Sequence, residues 1–152
     1  MHIRRLLAAV AIPVALASVF TAPAAYASTD SGKEAVGTRF KNAQTGLCLD
    51  GSVAGGVVLK TCNAGDYQRF VEYADGTLKH VQSGRCLDGS ASAGVRLYTC
   101  TLSSNYQAWY TTDANQLRNL GAVGYCLDGS VSQGVRMVTP CSSSRYQQWT
   151  RY

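Results

Sequence analysis

The sequence predicts an all-β fold built from three pseudo-symmetric, four-stranded units, and three observations lead to it. The first is repetition. Residues 46–70, GLCLDGSVAGGVVLKTCNAGDYQRF, return as GRCLDGSASAGVRLYTCTLSSNYQAWY at 84–110 and as GYCLDGSVSQGVRMVTPCSSSRYQQWT at 124–150. The first cysteines of successive copies stand 38 and then 40 residues apart. At such a period each unit is one supersecondary element that buries its apolar face only against its neighbours. The second observation is pattern: short apolar and polar alternations are broken by Gly, Asn, Asp or Ser about every 8 to 12 residues, as in sheets of short strands. The third is the lack of a helical period, because Gly and Ser interrupt every window of about ten residues.

Residues 1–27 read as a secretory signal peptide, with a basic start (His2, Arg4, Arg5), an apolar run from Leu6 to Phe20, and Ala25-Tyr26-Ala27 as the cleavage site. That run is shorter than the ~20 residues a membrane span needs, and Pro13 interrupts it. Secretion follows. Residues 28–36 are a polar leader without periodicity, and 37–152 form one domain, with repeats at about 37–76, 77–114 and 115–152.

Each repeat opens on a strand at Thr38–Lys41, Thr77–His80 or Gln116–Asn119. A turn ending in Gly46, Gly84 or Gly124 leads to the second strand, Leu47-Cys48-Leu49 and its equivalents. An Asp-Gly-Ser turn and a small-residue loop follow, ending at Gly56, Gly94 and Gly134. The third strand is Val57–Leu59, Val95–Leu97 or Val135–Met137, and after the second cysteine a Tyr-Gln-x-aromatic motif opens the fourth. Such a repeat is satisfied by a closed six-stranded barrel capped by three hairpins, the β-trefoil, which leaves few free edges. Closure places Tyr146–Tyr152 beside Thr38–Lys41. Leu49, Leu87, Leu127, Leu59, Leu97 and Met137 should fill the barrel, with Phe70, Trp109 and Trp149 near its axis. His80 stands where the other repeats carry Asn42 and Asn119, and is expected at the surface.

All six cysteines lie in the repeats, two in each, which in an exported chain reads as a disulfide framework. Three copies of one structure should close three copies of one bond: Cys48–Cys62, Cys86–Cys100 and Cys126–Cys141. Each bridge closes a loop of about 15 residues, worth about 3 kcal/mol in the chain-entropy model. Zinc does not suit these spacings, and His80 is the one histidine after residue 27, so no metal or other cofactor is expected. The chain has 14 basic and 9 acidic residues; without Arg4 and Arg5 the balance is 12 to 9, net +3. No basic run accompanies that charge, which argues against nucleic acid, and no later segment is apolar enough to insert in a membrane. Nothing suggests oligomerisation, so a monomer is expected.

Three Cys-Leu-Asp motifs, each followed by a second cysteine and then by Gln68-Arg69-Phe70, Gln107-Ala108-Trp109 or Gln147-Gln148-Trp149, resemble the ricin-type lectin domain with its Q-x-W repeats. The likeness covers residues 37–152. Within that family Asn42-Ala43-Gln44-Thr45-Gly46 and the Tyr-Gln pairs at 67, 106 and 146 are most similar to the actinohivin-like mannose-binding lectins and the family-13 carbohydrate-binding modules. The resemblance implies reversible binding of glycans or polysaccharides without catalysis, through one shallow site per repeat.

Sugar recognition calls for an acceptor that takes two vicinal hydroxyls and an aromatic face for the ring's C–H surface. Asp50, Asp88 and Asp128 match the family's hydroxyl-binding carboxylate, in an acidic pocket expected to face outward from each lobe. Asp-Gly is also a turn signal, so a structural role competes. Tyr67, Tyr106 and Tyr146 match a contacting tyrosine, Asn63 matches a polar contact in repeat one, and Tyr98 occupies the stacking position held by Lys60 and Val138 elsewhere. Gln68, Gln107 and Gln147 should brace the site loops. Where the family often carries a further contact, Val58, Arg96 and Arg136 stand instead, and the arginines would suit an acidic sugar. Repeat two ranks first.

An enzyme is not expected: the only glutamates are Glu34 and Glu72, and three equivalent aspartates do not provide the asymmetric acid and base of a glycosidase. The rival reading is a β-trefoil that has lost sugar binding and serves as a protein-interaction module or protease inhibitor. Val58, Lys60 and Val138 are the substitutions it would produce, and fold alone does not decide between the two.

Overall fold

Short alternating segments between glycine turns form twelve strands in the computed structural model, which describes residues 37–152. The signal-peptide and leader readings fall on 1–27 and 28–36, outside the described residues. Repeat one contributes β1 (Phe40–Asn42), β2 (Cys48–Asp50), β3 (Val58–Lys60) and β4 (Phe70–Glu72). Repeat two contributes β5 (Leu78–His80), β6 (Cys86–Ser90), β7 (Gly94–Tyr98) and β8 (Trp109–Thr111). Repeat three contributes β9 (Leu117–Asn119), β10 (Cys126–Ser130), β11 (Gly134–Val138) and β12 (Trp149–Arg151).

The sheets are out of step with the repeats. Their strand orders are β12-β1-β2-β3, β4-β5-β6-β7 and β8-β9-β10-β11, so the last strand of each repeat pairs with the first strand of the next. Single bridges at Thr38↔Phe70, Thr77↔Ala108 and Gln116↔Gln148 then join β1 to β4, β5 to β8 and β9 to β12. With the pairs β12–β1, β4–β5 and β8–β9, these bridges close a ring of six strands. The hairpins β2–β3, β6–β7 and β10–β11 cap it, which is the β-trefoil. The closing strand lies where expected: Phe40 faces Arg151 and Asn42 faces Trp149 across the β1–β12 pair. All three disulfides form within their own repeats.

Two local expectations are corrected. Asp88-Gly89-Ser90 and Asp128-Gly129-Ser130 do not turn; they continue β6 and β10, and the chain reverses later, where Gly94 and Gly134 adopt φ of +73° and +74°. Gly89 and Gly129 are required by close approach instead. A Cβ at Gly89 would sit 2.5 Å from the Trp109 ring, and one at Gly129 2.8 Å from the Trp149 ring. Likewise the Tyr-Gln pairs end one-turn 3₁₀ helices (Asp66–Gln68, Asn105–Gln107, Arg145–Gln147) rather than opening a strand.

The core gathers Phe40, Leu49, Phe70, Leu87, Leu97, Trp109, Leu127 and Trp149 with their neighbours, while Leu59 and Met137 are only partly buried against it. Each indole N–H donates to a backbone carbonyl, Trp109 to Leu87 at 2.8 Å and Trp149 to Leu127 at 2.9 Å, so neither buries an unpaired donor.

His80 is not at the surface: it is fully buried. Its Nε2 lies 3.0 Å from the Tyr67 carbonyl, as the Asn119 amide donates to Tyr106 O at 2.8 Å and the Asn42 amide to Tyr146 O at 2.7 Å. On the other side Nδ1 accepts from Ser83 N, as Asn119 Oδ1 accepts from Gly121 N and Ala122 N. A neutral imidazole protonated at Nε2 offers the same donor and acceptor as an amide. That equivalence keeps the histidine inside.

Candidate functional site

The capping hairpins set the site, because antiparallel register fixes what faces each aspartate: Asp50 opposes Val58, Asp88 opposes Arg96, and Asp128 opposes Arg136. The three carboxylates do not form open acidic pockets. Their residues are 2%, 5% and 4% exposed, each beneath a basic side chain. The Arg96 Nε lies 3.2 Å from Asp88 Oδ1, the Arg136 Nε 3.5 Å from Asp128 Oδ1, and the Lys60 Nζ 3.9 Å from Asp50 Oδ1. A buried carboxylate without such a partner would be strongly unfavourable.

The cation paired with each acid is the site feature that sequence reasoning missed. Arginines eight residues after Asp88 and Asp128 signalled it, but Val58 breaks the pattern in repeat one, where Lys60 substitutes from two residues further on.

The glutamines brace the site loops as expected, and two of them also hold an acid. Gln68 donates to Asp50 Oδ2 at 3.0 Å and to Thr61 O, while its own oxygen accepts from Asn63 N. Gln107 repeats this with Asp88 Oδ2 at 3.3 Å, Thr99 O and Thr101 N. In repeat three Gln147 accepts from Ser142 N, and Asp128 Oδ1 and Arg136 Nε make no hydrogen bond. The third site is therefore the least tightly held. Burial by itself raises the Asp50 carboxyl, but hydrogen bonds from the Ser52 and Gln68 side chains and the Ser52 backbone, with the Lys60 charge, more than offset it and leave it below the usual value.

The tyrosines, unlike the acids, are exposed. Tyr67, Tyr106 and Tyr146 lie within the same 3₁₀ turn in each repeat and are 46%, 48% and 39% exposed, their backbone carbonyls pinned by His80, Asn119 and Asn42. Tyr98 is also exposed, with the Arg96 guanidinium 4.5 Å from its ring centre. Asn63 is exposed, but its Oδ1 already accepts from Gly65 N at 2.7 Å. The clefts lie elsewhere. One of about 500 Å³ runs between Gly51–Gly55 and Ser83, Arg85 and Leu97, and one of about 300 Å³ between Asp66, Tyr73 and Lys79.

Each lobe thus repeats one arrangement, an exposed tyrosine and a buried carboxylate beside a basic side chain, and in the first two repeats a glutamine also holds the carboxylate. This can form hydrogen bonds and stack on a ring, and it presents no nucleophile with an adjacent base.

The fold has counterparts among known proteins. The family profile described as the ricin-type beta-trefoil lectin domain matches residues 36–149. Among solved structures, the hemolytic lectin CEL-III is 27% identical with a TM-score of 0.63, over 73% of this chain and 28% of that one. A non-toxic homologue of type II RIPs from Momordica charantia (bitter gourd), in complex with α-methyl-D-galactoside, is 20% identical with a TM-score of 0.64, over 76% of this chain and 47% of that one. The agglutinin from Abrus precatorius is 17% identical with a TM-score of 0.65, over 78% of this chain and 48% of that one. The chain therefore spans less than half the length of each, and the latter two likenesses bear on fold alone. A search of the curated proteins finds no match. With the family profile spanning three quarters of the sequence and the threefold architecture in place, the chain belongs to the ricin-type β-trefoil lectin family.

Proposed function

We propose that this domain is a secreted, non-catalytic lectin that binds glycans through up to three shallow sites. They are built on Asp50 with Asn63 and Tyr67, on Asp88 with Tyr98 and Tyr106, and on Asp128 with Tyr146. The observation that carries the reading is the recurrence, in all three lobes, of an exposed tyrosine and a buried carboxylate paired with a basic side chain. A saccharide is supported as the ligand class by family membership. One such site buries little area and binds weakly. Three on one rigid body engage a branched or repeating glycan together, and linked sites raise avidity by roughly 10²–10⁴ when geometry permits.

The test is a glycan and polysaccharide binding screen of residues 28–152, with Asp88→Ala alongside. Binding that survives Asp88→Ala unaltered removes repeat two, and turnover of any bound glycan overturns the non-catalytic reading. The covered carboxylates favour a second reading, a protein-interaction module or protease inhibitor. A screen negative for every glycan, with retained binding to a secreted protease, selects it.

A further inference from the structure

What faces each aspartate decides what the site offers a ligand. One oxygen of Asp88 takes the Gln107 amide and the other takes Arg96 Nε, so its charge is matched before any ligand arrives. The group presented to solvent is the guanidinium, whose side chain is 40% exposed against 7% for Asp88. Among the described residues its terminal amino groups make no hydrogen bond; only Nε is engaged. The aspartate holds the guanidinium through Nε and its Cζ stands 4.5 Å from the Tyr98 ring centre, which leaves the two terminal amino groups of a 40% exposed side chain free for a ligand. That fork matches the paired oxygens of a carboxylate or sulfate.

The pairing of acid with base also recurs by different routes. Arg136 repeats it on Asp128, whereas Lys60 reaches Asp50 from a different position in the hairpin because Val58 cannot. A charge that is kept while its position moves belongs to the site rather than to one strand.

We propose that the repeat-two site takes an anionic saccharide, with its carboxylate or sulfate on the outer edge of Arg96 and its sugar ring beside Tyr98. This rests on the glycan-binding reading and adds the class of glycan. Arg96 is the specificity-determining residue. Arg136 is the weaker counterpart, since Val138 gives it no ring to stack on, and Lys60 lacks the fork.

The test is calorimetric titration of the wild-type domain, and of Arg96→Gln, Arg96→Lys and Arg136→Gln, with three trisaccharides: galacturonic acid, 6-sulfated galactose and neutral galactose. Sodium sulfate is the fourth probe. At least one acidic trisaccharide is expected to bind about tenfold or more tighter than the neutral one, with an advantage that shrinks as salt rises. Arg96→Gln should erase that advantage, Arg96→Lys should keep part of it, and Arg136→Gln should alter it far less. The uronate and sulfate arms show which acid group is meant. Equal binding of acidic and neutral sugars, or an acid preference untouched in Arg96→Gln, overturns this inference and leaves the lectin reading standing. Sodium sulfate binding as tightly as the acidic sugars also overturns it, as an anion site without sugar recognition. No binding of any of the three trisaccharides overturns this inference too, and the lectin reading is then decided by the wider glycan screen. The wild-type ratio needs no variant, so it decides even if a substitution fails to fold.

Discussion

Phe70 and His80 are cross-strand partners whose rings stand 5.2 Å apart, and together they fill the space that Trp109 with Asn119 and Trp149 with Asn42 fill in the other lobes. The glycine that takes the indole in repeats two and three, Gly89 or Gly129, is met in repeat one by the His80 imidazole and Leu97 at Gly51. A smaller aromatic ring is matched by a larger polar one. Phe70→Trp alone should overpack this lobe and His80→Asn alone should leave a void, each costing about 1–3 kcal/mol. The double variant should cost less than their sum, by about 1 kcal/mol or more, in urea unfolding. Strict additivity would show that the two positions do not share one space.

His80 also sets an acid limit on stability. Burial lowers its pKa below the ordinary 6.5, against opposing contributions from the Tyr67 carbonyl and the Asp50 and Asp66 charges. The folded domain therefore holds the neutral ring while the unfolded chain binds a proton. This stability is present above about pH 6.5 and is lost as pH falls below it towards the folded pKa. Asp50, also lowered, adds a second loss that begins only below its unfolded value of 3.8. Melting temperature should fall between pH 7 and 5 in the wild type, and His80→Asn, though less stable, should show a flatter profile over that window. An identical slope in both would assign the effect elsewhere.

Removing the Cys86–Cys100 bridge as a paired alanine substitution releases a loop of sequence separation 14. The expected loss is about 3 kcal/mol, read as a lower urea midpoint. An unchanged midpoint would place the constraint in the hairpin rather than in the bond.

Deleting Trp149–Tyr152 takes away β12, the one strand that joins repeat three to β1. Cooperative melting should disappear with it, and a truncated chain with an unaltered melt would refute the closed ring.

Architecture was legible because it is written three times: the strand count, the closing strand and the disulfide pairs follow from repetition alone. The sites were legible only in part. Spacing located the aspartates and tyrosines, but which atoms cover a carboxylate depends on cross-strand register, and Arg96 and Arg136 read as departures until β6–β7 and β10–β11 placed them opposite Asp88 and Asp128. The burial of His80 is hidden for a chemical reason, since aligning it with two asparagines says polar, and a polar residue in a short strand points to the surface unless its partners are known. Asp-Gly was misjudged because glycine serves two needs, and here the neighbouring indole rather than the backbone angle requires it.

The pairing of β12 with β1, with Arg39 N donating to Tyr152 O at 3.2 Å, makes the first and last residues of the barrel immediate neighbours. A molecule that rejoins itself in this way has no privileged starting point. Linking the ends by a few flexible residues and reopening the chain at the exposed turn around Asp113 would preserve every strand pair, so the order in which the lobes are encoded is a matter of history rather than of mechanics.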